Sequence, residues 1–224
     1  MQYSIENSPV FTILRINLDA GESFRAEAGA MLSMSSNIKL EAKSTGKGLL
    51  GTFKAAMGGE SFFASLLTAE NSAGEILLAP VTMGDIVVKE LQGNSIFAQG
   101  GAYLAGSPDL EISSQGSFKS MISGEGLFLQ KISGYGLLFL NSYGTILEKN
   151  LNPGETYIVD TGHIVAFEES IKYNIKKASK GLFSTLASGE GLVCEYYGPG
   201  KIWMQSRNLP PFASLLDRYL PKRS

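Results

Sequence analysis

From residue 10 to residue 18, Val10, Thr12, Leu14, Ile16 and Leu18 interleave with Phe11, Ile13, Arg15 and Asn17. This two-residue period predicts a strand. The chain must then turn back. Asn152-Pro153-Gly154-Glu155 shows how, with proline preset at the second position and glycine at the third, where a type II turn needs positive φ. Asp19-Ala20-Gly21-Glu22 and Leu91-Gln92-Gly93-Asn94 fill the same slot. The spacing leaves one short strand (156–160 in the third case), a second turn at Thr161-Gly162, and another strand over 164–167. Further β-rich runs cover 75–81, 85–89, 127–132, 137–143, 192–197 and 201–205.

The pattern occurs three times. Gly21 and Gly29, Gly93 and Gly101, and Gly154 and Gly162 are each eight residues apart. Nine residues after the second glycine stands Ile38, Leu110 or Ile171, and two further on Leu40, Ile112 or Tyr173. After a segment of variable length each copy then reads Gly-Glu and apolar residues, at Gly59-Glu60, Gly124-Glu125 and Gly189-Glu190, and these strings begin 65 residues apart. Fixed-period self-similarity is the signature of a repeated supersecondary unit. The expected fold is therefore all-β: an antiparallel sandwich or roll of three internal repeats, over 1–83, 84–143 and 144–208, in one compact domain. Residues 209–224 add a short amphipathic helix. Pro210 and Pro211 open it, Phe212, Leu215, Leu216, Tyr219 and Leu220 form its apolar stripe, and Pro221 stops it. That stripe is expected to pack on its own sheets, or else to cover a neighbouring subunit.

Composition narrows the class. At 224 residues, with 44% hydrophobic and 18% charged residues and 26 glycines against 8 prolines, the chain is globular and turn-rich. The single cysteine, Cys194, excludes an internal disulfide, and the first ten residues lack the charged start and apolar core of a secretion signal. A cytoplasmic protein is the expectation. A net charge of -2 gives no global attraction to nucleic acid.

The stretches Gly48-Leu49-Leu50-Gly51 to Gly59-Glu60-Ser61-Phe62-Phe63, Ser188-Gly189-Glu190-Gly191-Leu192-Val193-Cys194 and Gly198-Pro199-Gly200-Lys201-Ile202-Trp203-Met204-Gln205-Ser206-Arg207-Asn208 resemble the altered-inheritance-of-mitochondria family. Its prokaryotic members are largely uncharacterised. The resemblance covers nearly the whole chain, and the string from Gly198 to Asn208 is its most specific part. It implies a fold similar to the tryptophan RNA-binding attenuation protein, a β-sandwich unit that assembles into rings. Fungal members are implicated in organising the mitochondrial inner membrane. The family carries no established catalytic residues, so none is transferred.

Residue chemistry points the same way. His163 has no second histidine beside it for metal or catalysis, and it is read as a turn residue. Cys194 lies in a strand with no histidine neighbour and is read as a buried inert thiol. Gly46-Lys47 fails the phosphate-loop pattern at both ends. Glu60, Glu125 and Glu190 would bind a hard cation only if the three copies brought them together; otherwise each solvates a turn. No catalytic residue, metal or cofactor is assigned.

Two surfaces remain. Leu49, Leu50, Phe53 and Met57, edged by Lys47 and Lys54, can form an apolar stripe suited to a protein groove or an anionic membrane, or can cap the open end of the sandwich. Lys172, Lys176, Lys177 and Lys180, with Tyr173, Tyr196, Tyr197 and Trp203 nearby, are the weaker nucleic-acid candidate. The expectation is a non-enzymatic interaction or scaffold protein, homo-oligomeric, with an unknown protein or membrane-surface partner. RNA binding is the alternative and small-ligand or cation binding the third reading.

Overall fold

A computed structural model of the chain describes residues 1–44, 63–115, 128–177 and 192–221. Its strands are β1 (Gln2–Glu6), β2 (Ile13–Leu18), β3 (Ser23–Glu27), β4 (Met31–Met34), β5 (Ile38–Ser44), β6 (Phe63–Ala69), β7 (Gly74–Leu78), β8 (Ile86–Gln99), β9 (Tyr103–Gly106), β10 (Glu111–Gln115), β11 (Leu129–Asn141), β12 (Ile146–Leu151), β13 (Thr156–Asp160), β14 (Ile164–Glu168), β15 (Lys172–Lys177), β16 (Leu192–Tyr197) and β17 (Gly200–Gln205). The α-helix among the described residues is α1 (Leu209–Asp217). An antiparallel β protein with a short C-terminal helix is what the alternation predicted. Several of the predicted strands differ in extent. Residues 10–12 stand outside β2, and the runs at 127–132 and 137–143 merge into the single strand β11.

The strands form three sheets. One has the order β1-β2-β7-β4 and another β13-β16-β15. The third is the large sheet β12-β17-β14-β8-β11-β9-β3-β6-β5, with β10 also paired to β11. Pairing follows one scheme in three places. In residues 13–78, β7 pairs β2 and β4 while β6 pairs β3 and β5. In residues 146–205, β17 pairs β12 and β14 while β16 pairs β13 and β15. In the middle, β11 alone pairs β8, β9 and β10.

The turns at Gly21 and Gly154 form as predicted, with φ of +82° and +81°. Glu22 N donates to the Asp19 carbonyl at 3.0 Å, and Glu155 N to the Asn152 carbonyl at 3.0 Å. Each glutamate then turns its carboxylate back onto the same turn, accepting from Asp19 N at 2.8 Å and Asn152 N at 3.0 Å. Gly93 departs from the expectation. It lies inside the continuous strand β8, which runs on past it instead of turning. The physical reason is its partner: β11 carries Gly134 and Gly136 at φ +119° and +130°, and its register against β8 shifts between Ser133 and Tyr135. Both strands kink together there, so neither has to break. Gly162 also differs, since it sits in a 3-10 turn (Thr161–His163) where the Asp160 carboxylate accepts from Gly162 N at 2.7 Å.

Three hydrophobic clusters make the core. The first gathers Leu14, Ile16, Phe24, Leu67, Ile76 and Phe139, the second Leu91, Ile96, Tyr103, Leu138, Leu140 and Trp203, and the third Leu129, Leu151, Phe167, Cys194, Tyr196 and Ile202. Ile38, Leu110 and Ile171, the apolar residues nine positions beyond the second glycine, are all buried. Helix α1 departs from the expectation that it packs on its own sheets. None of its residues is buried, and Phe212 meets Tyr143 with ring centroids 5.9 Å apart.

Two glycine substitutions separate backbone strain from steric conflict. Gly154→Ala places a methyl in open space at positive φ and is expected to cost about 1–2 kcal/mol. Gly136→Ala carries the same kind of strain and also sets its Cβ 2.4 Å from Ser107 Oγ, so it should cost more. Urea unfolding midpoints of the two variants check the order.

Candidate functional site

The Gly198–Asn208 string folds into β17 and its flanks. Gly198 N donates to the Glu155 carbonyl at 3.0 Å, and a Cβ on Gly198 would stand 2.2 Å from the Asn152 carbonyl oxygen, so the first glycine is required by close packing against the 152–155 turn. The strand's alternation then sends Lys201 and Trp203 to one face, where both meet Glu148 of β12. Lys201 Nζ donates to Glu148 Oε1 at 2.7 Å and Trp203 Nε1 to Glu148 Oε2 at 2.8 Å. Lys89 of β8 closes the group: its Nζ lies 4.1 Å from the Trp203 ring centroid and 3.4 Å from Glu148 Oε2.

Towards the end of the string the contacts are to backbone. Gln205 accepts from Tyr143 N at 2.9 Å and donates to the Gly162 carbonyl at 2.9 Å. Ser206 Oγ accepts from Thr145 N at 3.0 Å. His163 Nδ1 donates to the Gln205 carbonyl at 2.8 Å, which holds the imidazole against β17. The string thus fastens β17 to the 143–145 connection and to the 3-10 turn.

The electrostatics suit a latch better than a catalyst. The hydrogen bond from Lys201, aided by that from Trp203 and by the charges of Lys89 and Lys201, holds the Glu148 carboxyl down to about 2 against the opposing effect of burial. An acid so strong gives up its proton far below neutral pH and has both oxygens engaged, so it offers neither an acid nor a free base. The same ion pair raises the Lys201 ammonium above its ordinary range. Cys194 is fully buried, and burial pushes its thiol up to about 11, leaving little thiolate at neutral pH. Among the described residues no group of three His, Cys, Asp or Glu side chains is placed to hold a metal ion.

Of the residues expected to bind nucleic acid, Lys172 is exposed and Lys176 Nζ lies 2.9 Å from Glu195 Oε1. Lys177 closes β15, and Lys180 lies outside the described residues. The aromatics expected beside them divide between core and surface. Trp203 and Tyr196 are core residues, and Tyr173 packs on Phe167 with centroids 5.1 Å apart. Strand alternation turns Trp203 and Tyr196 inward, whereas Tyr173 and Tyr197 stay 41% and 38% exposed, with Tyr197 Oη donating to Glu195 Oε2 at 2.6 Å. Leu49, Leu50, Phe53, Lys54 and Met57 lie outside the described residues, as do Glu60, Glu125 and Glu190. Glu148 and Lys89 were missed from the sequence, because nothing local in β12 or β8 announces that they meet β17.

The family described as mitochondrial biogenesis AIM24 matches residues 3–207, a span that ends inside the latch string. The chain belongs to that family. An uncharacterised protein of Streptococcus pyogenes serotype M6 is 35% identical over 233 aligned positions, covering 100% of this chain and 93% of the relative. A crystal structure of a Streptococcus pyogenes protein superposes with a TM-score of 0.81 at 32% identity, over 98% of this chain and 99% of that one. With this AIM24-family chain among the described residues, no helix is long and apolar enough to cross a membrane.

The pH dependence of the latch has a definite sign. Glu148 has a folded value below its ordinary 4.5, so the stability it adds is present above about pH 4.5 and is lost as pH falls towards 2. Glu148→Gln should flatten that part of the acid unfolding curve, with a neutral-pH cost of about 0.2–1 kcal/mol for a half-exposed ion pair. Trp203→Phe should cost more, about 1–3 kcal/mol, since it removes a buried donor's bond. Chemical denaturation of the three proteins from pH 7 to pH 2.5 checks both.

Proposed function

We propose that this AIM24-family protein is a non-enzymatic interaction or scaffold protein that presents an apolar surface to a protein partner. One observation carries the reading. At the end of the first sheet, Val10, Phe11, Val81 and Met83 edge an open depression, with Phe11 68% and Val81 87% exposed. Phe11 is bridged to Gly84 and Gly84 to Gly144, so this apolar rim is fixed to the connections that lead into β8 and β12. Large apolar side chains held on a rigid rim mark an interaction site more often than an isolated exposed leucine does. The burial of Cys194 and the engagement of both Glu148 oxygens favour binding over chemistry.

The segment 48–57, with Leu49, Leu50, Phe53, Lys54 and Met57, belongs to the same proposal as a second contact surface. An anionic membrane surface is the competing occupant for both.

Phe11→Ser with Val81→Ser tests the rim, because exposed substitutions of this kind should leave stability within about 0.5 kcal/mol. The expected result is an unchanged unfolding midpoint with loss of the proteins that wild-type chain retains from native extract. Binding to vesicles of anionic lipid, lost in the same variant, would transfer the reading to a membrane surface. A variant that retains every wild-type partner would remove it.

A further inference from the structure

The large sheet is continuous because strands from successive parts of the chain pair edge to edge, and they do so twice in one register. Arg25 pairs Gly106 and Ala26 pairs Ala105, joining β3 to β9. Phe97 pairs Phe167 and Ala98 pairs Ala166, joining β8 to β14. Arg25 and Phe97 each stand four residues after a glycine that opens the strand pair, Gly21 or Gly93. Their partners Gly106 and Phe167 each stand five residues after the second glycine of the following segment, Gly101 or Gly162. The pairs Ala26–Ala105 and Ala98–Ala166 hold the complementary offsets of five and four.

One strand of each kind is left over. β13, which follows Gly154, is an edge of the sheet β13-β16-β15, and β4, which follows Gly29, is an edge of the sheet β1-β2-β7-β4. They do not meet within the chain, since they border different sheets. Burial records the missing neighbour. All four residues of β9 are buried, as are Ile164, Val165, Ala166 and Phe167 of β14, whereas all four residues of β4 are exposed. In β13, Ile158 is 53% exposed, and in β4, Leu32 is 56% exposed. Neither strand carries proline or lysine, the usual protections of a solvent-facing edge.

We propose that β13 of one copy pairs antiparallel with β4 of a second copy, in the register of the two internal junctions. The offsets then set the pairs: Ile158 against Met34 and Val159 against Ser33 of the neighbouring copy. The occupant is a second copy because both halves of the junction are present on every chain and the chain already forms it twice. Because β4 and β13 are different surfaces, the contact is head to tail, and it closes into a ring or runs on as a filament according to the rotation it imposes. This inference goes beyond the scaffold reading and does not depend on it.

Disulfide trapping tests the register. With Met34→Cys and Ile158→Cys on one chain, mild oxidation should give a ladder of covalent multimers. A mixture of the two single variants should stop at covalent dimers, and the single variants alone should give neither. Light scattering on wild-type chain should return a multiple of 24.0 kDa. Met34→Lys with Ile158→Lys puts like charges opposite each other and should reduce that mass to one chain, while Met34→Glu with Ile158→Lys should restore it. A wild-type monomer at every concentration would overturn the proposal. So would a multimer that neither cross-links at this pair nor responds to the lysine pair, since its contact would lie elsewhere.

Discussion

The antiparallel ladder between β8 and β11 is the constraint on which the rest of the fold depends. It runs from Gln99–Leu129 to Ile86–Asn141 and is interrupted only at the glycine kink. Its side chains enter every core cluster: Ile86 and Phe139 the first, Leu91, Ile96, Leu138 and Leu140 the second, and Leu129 the third. On one side β11 reaches β9 and through it β3, and on the other β8 reaches β14. Remove the ladder and the two wings of the large sheet, β9-β3-β6-β5 and β14-β17-β12, lose their connection. The kink matters as much as the ladder, because two long strands can line successive clusters only if both bend at one place, and Gly93, Gly134 and Gly136 permit that.

The latch at β17 secures the C-terminal part of this arrangement. Lys201 and Trp203 converge on Glu148, and Lys89 ties the group to β8 itself. The string that carries the resemblance to the AIM24 family is therefore explained to a large extent by fold. Gly198 meets a neighbouring backbone, Gln205 and Ser206 bond the 143–145 connection, and Trp203 fills the second cluster while its N–H finds an acceptor. A motif of this kind marks descent and architecture without implying catalysis.

Much of the fold was legible in the sequence because β alternation and turn chemistry are local. The 152–155 turn, β13 and β16 follow directly from residue types, and the burial of Ile38, Leu110 and Ile171 follows from their spacing. Gly93 misled for a physical reason: a glycine at positive φ serves a tight turn and a strand kink equally well, and only the partner strand decides between them. The site was less legible. Glu148 is 53 residues from Lys201 in sequence, and no neighbouring residue type in β12 sets it apart from an ordinary surface acid. Tyr196 and Trp203 looked available to stack bases because proximity in sequence says nothing of which sheet face a residue takes. Of the predicted apolar stripe, Phe212, Leu215 and Leu216 lie on α1 while Tyr219 and Leu220 stand beyond its end, and apart from the contact of Phe212 with Tyr143 the stripe is exposed instead of packed on its own sheets.

Native-state hydrogen exchange across β8 and β11 tests the central claim most directly. If the ladder is the spine shared by three cores, amides on both sides of the kink, such as those of Val88, Phe97, Ile132 and Phe139, should exchange only through global unfolding and share one free energy of opening. If the 86–92 half opened at distinctly lower free energy than the 95–99 half, the ladder would be two separate hairpins and the claim would be wrong.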